Sequence, residues 1–160
     1  MSTPQLLVAW IGEMVVSSDE GSTLVAYGLG SCVALAAWDP IARVGGLAHF
    51  MLPSDRVEGD GPPVKSVDDG LPRFLDAFRS AGGHPARSRF RAAGGAAMLT
   101  VVASNLDIGR RNAEAVSIGL ARLGLRLHAS EVGGSVGRTV RLDVGSGRLI
   151  VKSLSSVSVL

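Results

Sequence analysis

Three short apolar segments, separated by turn residues, limit the possible folds more than any other feature of this chain. Residues 23–27 are apolar or β-branched and run into the glycine turn at 28–30. Residues 32–38 are apolar without a polar face, and 44–51 follow after Asp39-Pro40. Such segments are typical of buried strands, although residues 32–38 taken alone also fit a short helix. The pattern therefore predicts a sheet in which two elements meet at Cys32.

The rest of the chain adds two helices and further strands. One helix is expected after Asp68 and Asp69, with Pro72 in its first turn and an end at 82–83; the other spans 113–123. Further β-rich segments lie at 6–16 (broken by Gly12), 88–100 and 125–132, and a hairpin joins 139–144 to 149–151. This order predicts an α/β or α+β fold with a mixed, largely antiparallel sheet.

Composition favours one domain, spanning residues 1–160, with a proper core, because 46% of the chain is hydrophobic. The net charge of +2 forms no stripe, and aromatic residues make up only 4% of the chain, so nucleic-acid binding is not expected. No apolar run approaches the ~18 residues of a membrane span. Residues 54–65 combine charge, glycine and two prolines, which predicts a flexible surface loop.

Cys32 and His49 are the candidate catalytic residues. A lone free cysteine is most often a small buried residue, but backbone amides at a glycine turn can lower a thiol pKa and favour the thiolate. His49 lies in the next predicted strand and would serve as the base, although its spacing fits a core histidine equally well. A single cysteine forms no internal disulfide, so a cytoplasmic location is expected.

Other chemistries fit the sequence poorly. One cysteine and three scattered histidines lack the spacing of a metal site, so neither a metal nor another cofactor is expected. The glycine turn lacks the third glycine of a dinucleotide-binding loop. His84 and His128 have the pattern of surface or structural residues, and Glu13 and Asp39 that of strand-end or turn carboxylates.

Several motifs, taken together, resemble the CheD family of chemoreceptor glutamine deamidases. The cysteine and histidine motifs are residues 27–34 (YGLGSCVA), 39–40 (DP) and 45–53 (GGLAHFMLP). Further similarities, in the family's order, are 11–13 (IGE), 94–96 (GGA), 108–112 (IGRRN), 132–138 (VGGSVGR) and 147–152 (GRLIVK). The resemblance covers nearly the whole chain.

The resemblance implies a three-layer α/β/α sandwich and a cysteine-histidine site that needs no cofactor. Cys32 would attack the side-chain amide of receptor glutamines, and His49 would act as base and then as acid. Backbone amides around Gly30, Ser31 and Cys32 would hold the oxyanion. The implied substrates are methyl-accepting chemotaxis receptors, and glutamate methyl esters should react in the same way. A monomer without membrane insertion is expected.

One departure from the family affects the site itself. The family usually has a threonine six residues before the cysteine, and this chain has Ala26, which cannot orient the imidazole. Thr23 should face the opposite side of its strand and is a poor replacement. Smaller departures are Ala97, Arg110 and Ser135.

Two functions fit the sequence. The first is a working deamidase whose histidine is held by backbone, water or another residue. The second is a CheD-like adaptor, with weak or no catalysis, that binds receptors or a CheC-type phosphatase.

Overall fold

The computed structural model describes residues 3–54, 62–98 and 107–160. Within these ranges it contains ten strands, two α-helices and a single 3-10 turn (Pro85–Arg87). The helices are α1 (Val67–Ser80) and α2 (Ile108–Arg122). The strands are β1 (Gln5–Val8), β2 (Met14–Ser17), β3 (Ser22–Leu29), β4 (Val33–Asp39), β5 (Val44–Phe50), β6 (Arg89–Gly94), β7 (Ala129–Val132), β8 (Arg138–Asp143), β9 (Leu149–Lys152) and β10 (Val157–Val159). Neither helix is long and apolar enough to cross a membrane.

The strands form two five-stranded sheets. The first sheet has the order β1-β3-β8-β9-β10, and the second has the order β2-β5-β4-β6-β7. Two pairs, β1 with β3 and β6 with β7, are parallel, and the other pairs are antiparallel. The prediction of a mixed, largely antiparallel arrangement is therefore confirmed.

The central strands β4 and β5 are buried on both faces. Alternate residues of β4, such as Leu35, pack with Phe74 of α1 and Leu120 of α2 in one hydrophobic cluster. The intervening residues, such as Ala36, pack with Leu142 of β8 in a second cluster between the sheets. The layers are therefore the first sheet, the second sheet and the helices.

The α/β class and the three layers agree with the sequence analysis, but the order of the layers differs from the expected α/β/α sandwich. Both helices pack on one face of the second sheet, and the other face is covered by the first sheet. The reason lies in β8, where Val140 and Leu142 are buried while Arg141 and Asp143 are exposed. A strand with one apolar face can cover a sheet as a helix does.

Two predicted segments are divided or only partly described. The 6–16 segment contains β1 and β2, which belong to different sheets, with Gly12 between them at a φ of 78°. Residues 55–61 of the predicted surface loop, and 99–100 at the end of the predicted strand 88–100, lie outside the described residues. Near the end of the predicted 54–65 loop, Val64 is buried, and its N–H donates to the Gly12 carbonyl.

Candidate active site

Cys32 lies in the tight connection between β3 and β4, and the backbone of this connection is fixed by three hydrogen bonds. The Gly30 carbonyl accepts from Ala96 N (2.8 Å), and the Cys32 carbonyl accepts from Gly95 N (2.8 Å). The Ser31 carbonyl accepts from Nδ2 of Asn112 (2.9 Å). C=O and N–H point in opposite directions across a trans peptide. The Ser31 N–H therefore points away from Ala96, and the Cys32 N–H points away from Asn112.

The end of β6 comes close to this connection because residue 94 is a glycine. Gly94 has a φ of 114°, which L side chains rarely adopt. A Cβ at this position would overlap the carbonyl oxygen of Cys32. The glycine pair 94–95 therefore has a packing role: it lets a neighbouring strand hold the cysteine backbone directly.

His49 lies in β5 and is held by backbone groups. Its Nδ1 is 3.0 Å from the Ala9 carbonyl oxygen, and its main chain bonds to Gly12 N (2.9 Å) and to the Glu13 carbonyl (2.9 Å). A carbonyl oxygen can only accept a hydrogen bond, so Nδ1 carries the proton and the neutral ring keeps its lone pair on Nε2. This Nε2 is buried and has no hydrogen-bond partner in the described part of the chain.

The strand register places Cys32 and His49 on the same face of the second sheet. His49 pairs with Ala34, and Cys32 is two residues before Ala34 in the chain. Side chains two residues apart share a face, and such diagonal neighbours on adjacent strands are within reach of long side chains. The half-buried Cys32 packs against the cluster between the sheets, to which Ala34 also belongs. The two predicted catalytic residues therefore lie on one face of the second sheet, and no hydrogen bond joins Nε2 of His49 to the Cys32 thiol.

The two groups have pKa values shifted in opposite directions. Burial lowers the pKa of His49, although its hydrogen bond to Ala9 and the charge of Glu13 oppose the shift. Burial raises the pKa of the Cys32 thiol, and its own backbone amide offsets only part of this. The expectation of a lowered thiol pKa is therefore wrong, because desolvation outweighs the amide at this site. At neutral pH the Cys32 thiol and the His49 imidazole are therefore both uncharged.

Ala26 is fully buried in the cluster between the sheets, and that cluster also contains Ala9. The irregularity in β3 comes after Ala26, so the strand alternates normally before it. Thr23 lies on the outer face, beside Arg141, and cannot replace the family's threonine, as the alternation predicted. The imidazole contact comes from the Ala9 carbonyl instead. The sequence allows a backbone support for the histidine but does not identify Ala9, because a backbone acceptor leaves no side-chain signature.

The other polar candidates have structural roles. Asp39 is buried at the turn after β4, where it accepts from Ile41 N and His84 N and pairs with Arg87 Nε at 2.9 Å. His84 and His128 are exposed, as expected. Among the described residues, no group of three or more histidine, cysteine or acidic side chains is arranged to hold a metal ion.

Comparisons with known proteins agree with the motif resemblance. Residues 51–153 match the family model described as "CheD chemotactic sensory transduction". A protein of Symbiobacterium thermophilum is 43% identical over 159 residues, which cover 96% of either chain. A Thermococcus kodakarensis protein is 40% identical, with 94% of either chain covered, and a Desulforamulus reducens protein is 40% identical over 83% of this chain and 82% of its own. All three are named "Probable chemoreceptor glutamine deamidase CheD". The chain belongs to the CheD family.

Proposed function

We propose that this protein is a chemoreceptor glutamine deamidase, which hydrolyses glutamine side chains of methyl-accepting chemotaxis receptors to glutamate. The observation that carries the proposal is the state of His49. Its Nδ1 proton is held by the Ala9 carbonyl, and its free Nε2 belongs to a ring on the same sheet face as Cys32. The names of the relatives support the same reaction and substrate.

In the first half of the reaction, Nε2 of His49 takes the thiol proton as the Cys32 sulfur attacks the glutamine amide carbon. The Ser31 N–H, which points away from Ala96, and the Cys32 N–H, which points away from Asn112, are suited to stabilise the oxyanion. The protonated His49 then gives its proton to the leaving nitrogen, so that ammonia departs and a thioester remains on Cys32.

In the second half, His49 takes a proton from water as the water oxygen attacks the thioester carbon. The C–S bond breaks, the sulfur regains a proton from His49, and the product is glutamate. A glutamate methyl ester would form the same thioester and release methanol instead of ammonia. Because the resting pair is neutral, proton transfer accompanies the attack rather than preceding it.

The cellular setting is part of the same proposal. A nucleophilic thiol must stay reduced, which fits the cytoplasm expected from the single cysteine. The monomeric state expected from the sequence stays a prediction.

The raised pKa of the Cys32 thiol favours a second candidate, a CheD-like adaptor with weak or no catalysis that binds receptors or a CheC-type phosphatase. A protonated thiol is a poor nucleophile unless its base acts during the attack. The two candidates differ in what Cys32→Ala would change.

The test measures ammonia release and the amide-to-acid mass change in a chemoreceptor cytoplasmic fragment from the same organism. The parent should release ammonia. Both Cys32→Ala and His49→Gln should abolish release, while each variant keeps a cooperative thermal unfolding transition and still binds the receptor fragment. Release that continues in Cys32→Ala would overturn the deamidase proposal. Binding without release in the parent would support the adaptor.

A further inference from the structure

We infer that Asn112 is a positioning residue that holds the Cys32 connection and the end of β5 in register. The inference rests on the proposed function, because it concerns the Cys32–His49 pair. Asn112 lies in α2, in the helical layer, and its side chain is fully buried. Asn112 is the last residue of the family-like motif 108–112, which assigns it no role, and no step of the mechanism above uses its side chain.

The side-chain amide of Asn112 bridges the two catalytic segments. Its Nδ2 donates to the Ser31 carbonyl at 2.9 Å and to the Met51 carbonyl at 3.0 Å. Ser31 immediately precedes Cys32, and Met51 lies two residues after His49. The NH₂ group thus donates both of its protons, one to each of two separate main-chain segments.

This bridge lies just beyond the end of the β4–β5 ladder. The last pair of that ladder is Val33 with Phe50, and Cys32 and Met51 are the next residues on the two strands. Regular cross-strand bonding therefore does not fix the spacing of the chains beside Cys32. Asn112 fixes it from the helical side, through a group that belongs to neither strand.

Few side chains can replace this amide. Two donors on a short side chain are needed, which excludes aspartate and leucine, and glutamine is one methylene longer. The Oδ1 atom of Asn112 is buried and has no hydrogen-bond partner among the described residues. An unpartnered buried acceptor is unfavourable, so stability alone gives a weak reason for an asparagine here.

A merely structural role would be the attachment of α2 to the sheet, and Val116→Ala is the matched control for it. Val116 lies on the same helix and is fully buried in the cluster between the helices and the second sheet. Its truncation should loosen α2 without touching the Ser31 or Met51 carbonyls.

The experiment compares the parent, Asn112→Ala and Val116→Ala, each with His49 present and with His49→Gln. Deamidation of the receptor fragment gives kcat and KM, and iodoacetamide alkylation across pH gives the reactivity of Cys32. Because small misplacements of reacting groups are costly, Asn112→Ala should lower kcat about 10- to 100-fold with little change in KM. It should also remove the dependence of Cys32 alkylation on His49, whereas Val116→Ala should retain both.

The inference is overturned if Asn112→Ala keeps the parent kcat, or if Val116→Ala at equal stability loses as much. Asn112→Ser, which keeps one donor, should give an intermediate loss and serves as the test if Asn112→Ala does not fold. Failure of the proposed function looks different, because the parent itself would release no ammonia. The alkylation rates would still judge Asn112: equal rates in the parent and Asn112→Ala overturn its role, and a loss of His49-dependent reactivity supports it.

Discussion

Restoring the family's threonine, by Ala26→Thr, should destabilise this protein without activating it. Ala26 is 0% exposed in the core between the sheets, so the two added heavy atoms must be accommodated inside the packed cluster. Overpacking of this kind costs about 1–3 kcal/mol. A buried hydroxyl without a partner adds about 1 kcal/mol or more. Activity should not rise, because Nδ1 of His49 already donates to the Ala9 carbonyl at 3.0 Å.

Ala26→Val is the matched control, because valine has the shape of threonine without the hydroxyl. Urea unfolding at neutral pH should show Ala26→Val losing only the overpacking cost. Ala26→Thr should lose about 1 kcal/mol more, which is the contribution of the hydroxyl. Both variants should deamidate the receptor fragment no faster than the parent.

The refuting result is an Ala26→Thr variant that deamidates about tenfold faster than both the parent and Ala26→Val, a factor equal to about 1.4 kcal/mol of transition-state stabilisation. The Ala9 carbonyl would then not be sufficient to orient the imidazole.

Three further predictions follow from the described contacts. In a kcat/KM–pH profile of the parent, the midpoint of the acid limb should lie below the ~6.5 of a free histidine, because burial lowers the pKa of His49. In His49→Gln, alkylation of Cys32 should need a higher pH than alkylation of a free thiol, because burial raises the pKa of Cys32. Asp39→Asn should cost about 2 kcal/mol in urea unfolding at pH 7, because hydrogen bonds to a charged group are lost while the half-exposed Arg87 stays solvated. Burial opposes ionisation of Asp39, but Arg87 and backbone amides hold its pKa in the folded protein well below the ~3.9 of the unfolded chain. The cost of the substitution should therefore shrink only as the pH falls below about 4. A cost that does not change with pH would contradict the ion pair. Gly94→Ala should slow Cys32 alkylation and destabilise the fold. The control Gly124→Ala should only destabilise the fold, because Gly124 has a positive φ but no neighbouring atom among the described residues that a Cβ would meet. Equal alkylation rates in Gly94→Ala and the parent would refute the overlap with Cys32.

The strands that carry the site could be predicted because their pattern is local. The segments 23–27, 32–38 and 44–51 correspond to β3, β4 and β5, each bounded by its glycine or proline turn. The order of the layers could not be predicted in the same way. Alternation in 139–144 indicates one buried face, but it does not say whether a helix or another sheet covers that face.

The candidate site was predictable in its side chains and not in their supports. Cys32 and His49 stand out by residue type and neighbouring strands, whereas the Ala9 carbonyl belongs to a residue with no polar side chain. Asn112 is polar, but its partners lie 81 and 61 residues away in the chain. The thiol pKa was predicted in the wrong direction because a glycine turn indicates nearby amides but not the depth of burial.

The opposite pKa shifts of Cys32 and His49 suggest where the proposed enzyme gains its selectivity. Burial disfavours the charged form of both groups, so a resting thiolate–imidazolium pair is not favoured, and an uncharged thiol reacts slowly with oxidants and stray electrophiles. Charge then develops only when a carbonyl carbon is in place to accept the sulfur. At that moment the negative charge passes to an oxygen held by fixed backbone amides, and the positive charge forms on a ring held by the Ala9 carbonyl. Under this mechanism the rigid backbone around the pair stabilises the charges that develop in the transition state. A substrate is therefore selected by how well it places its amide against that backbone rather than by the intrinsic reactivity of the cysteine.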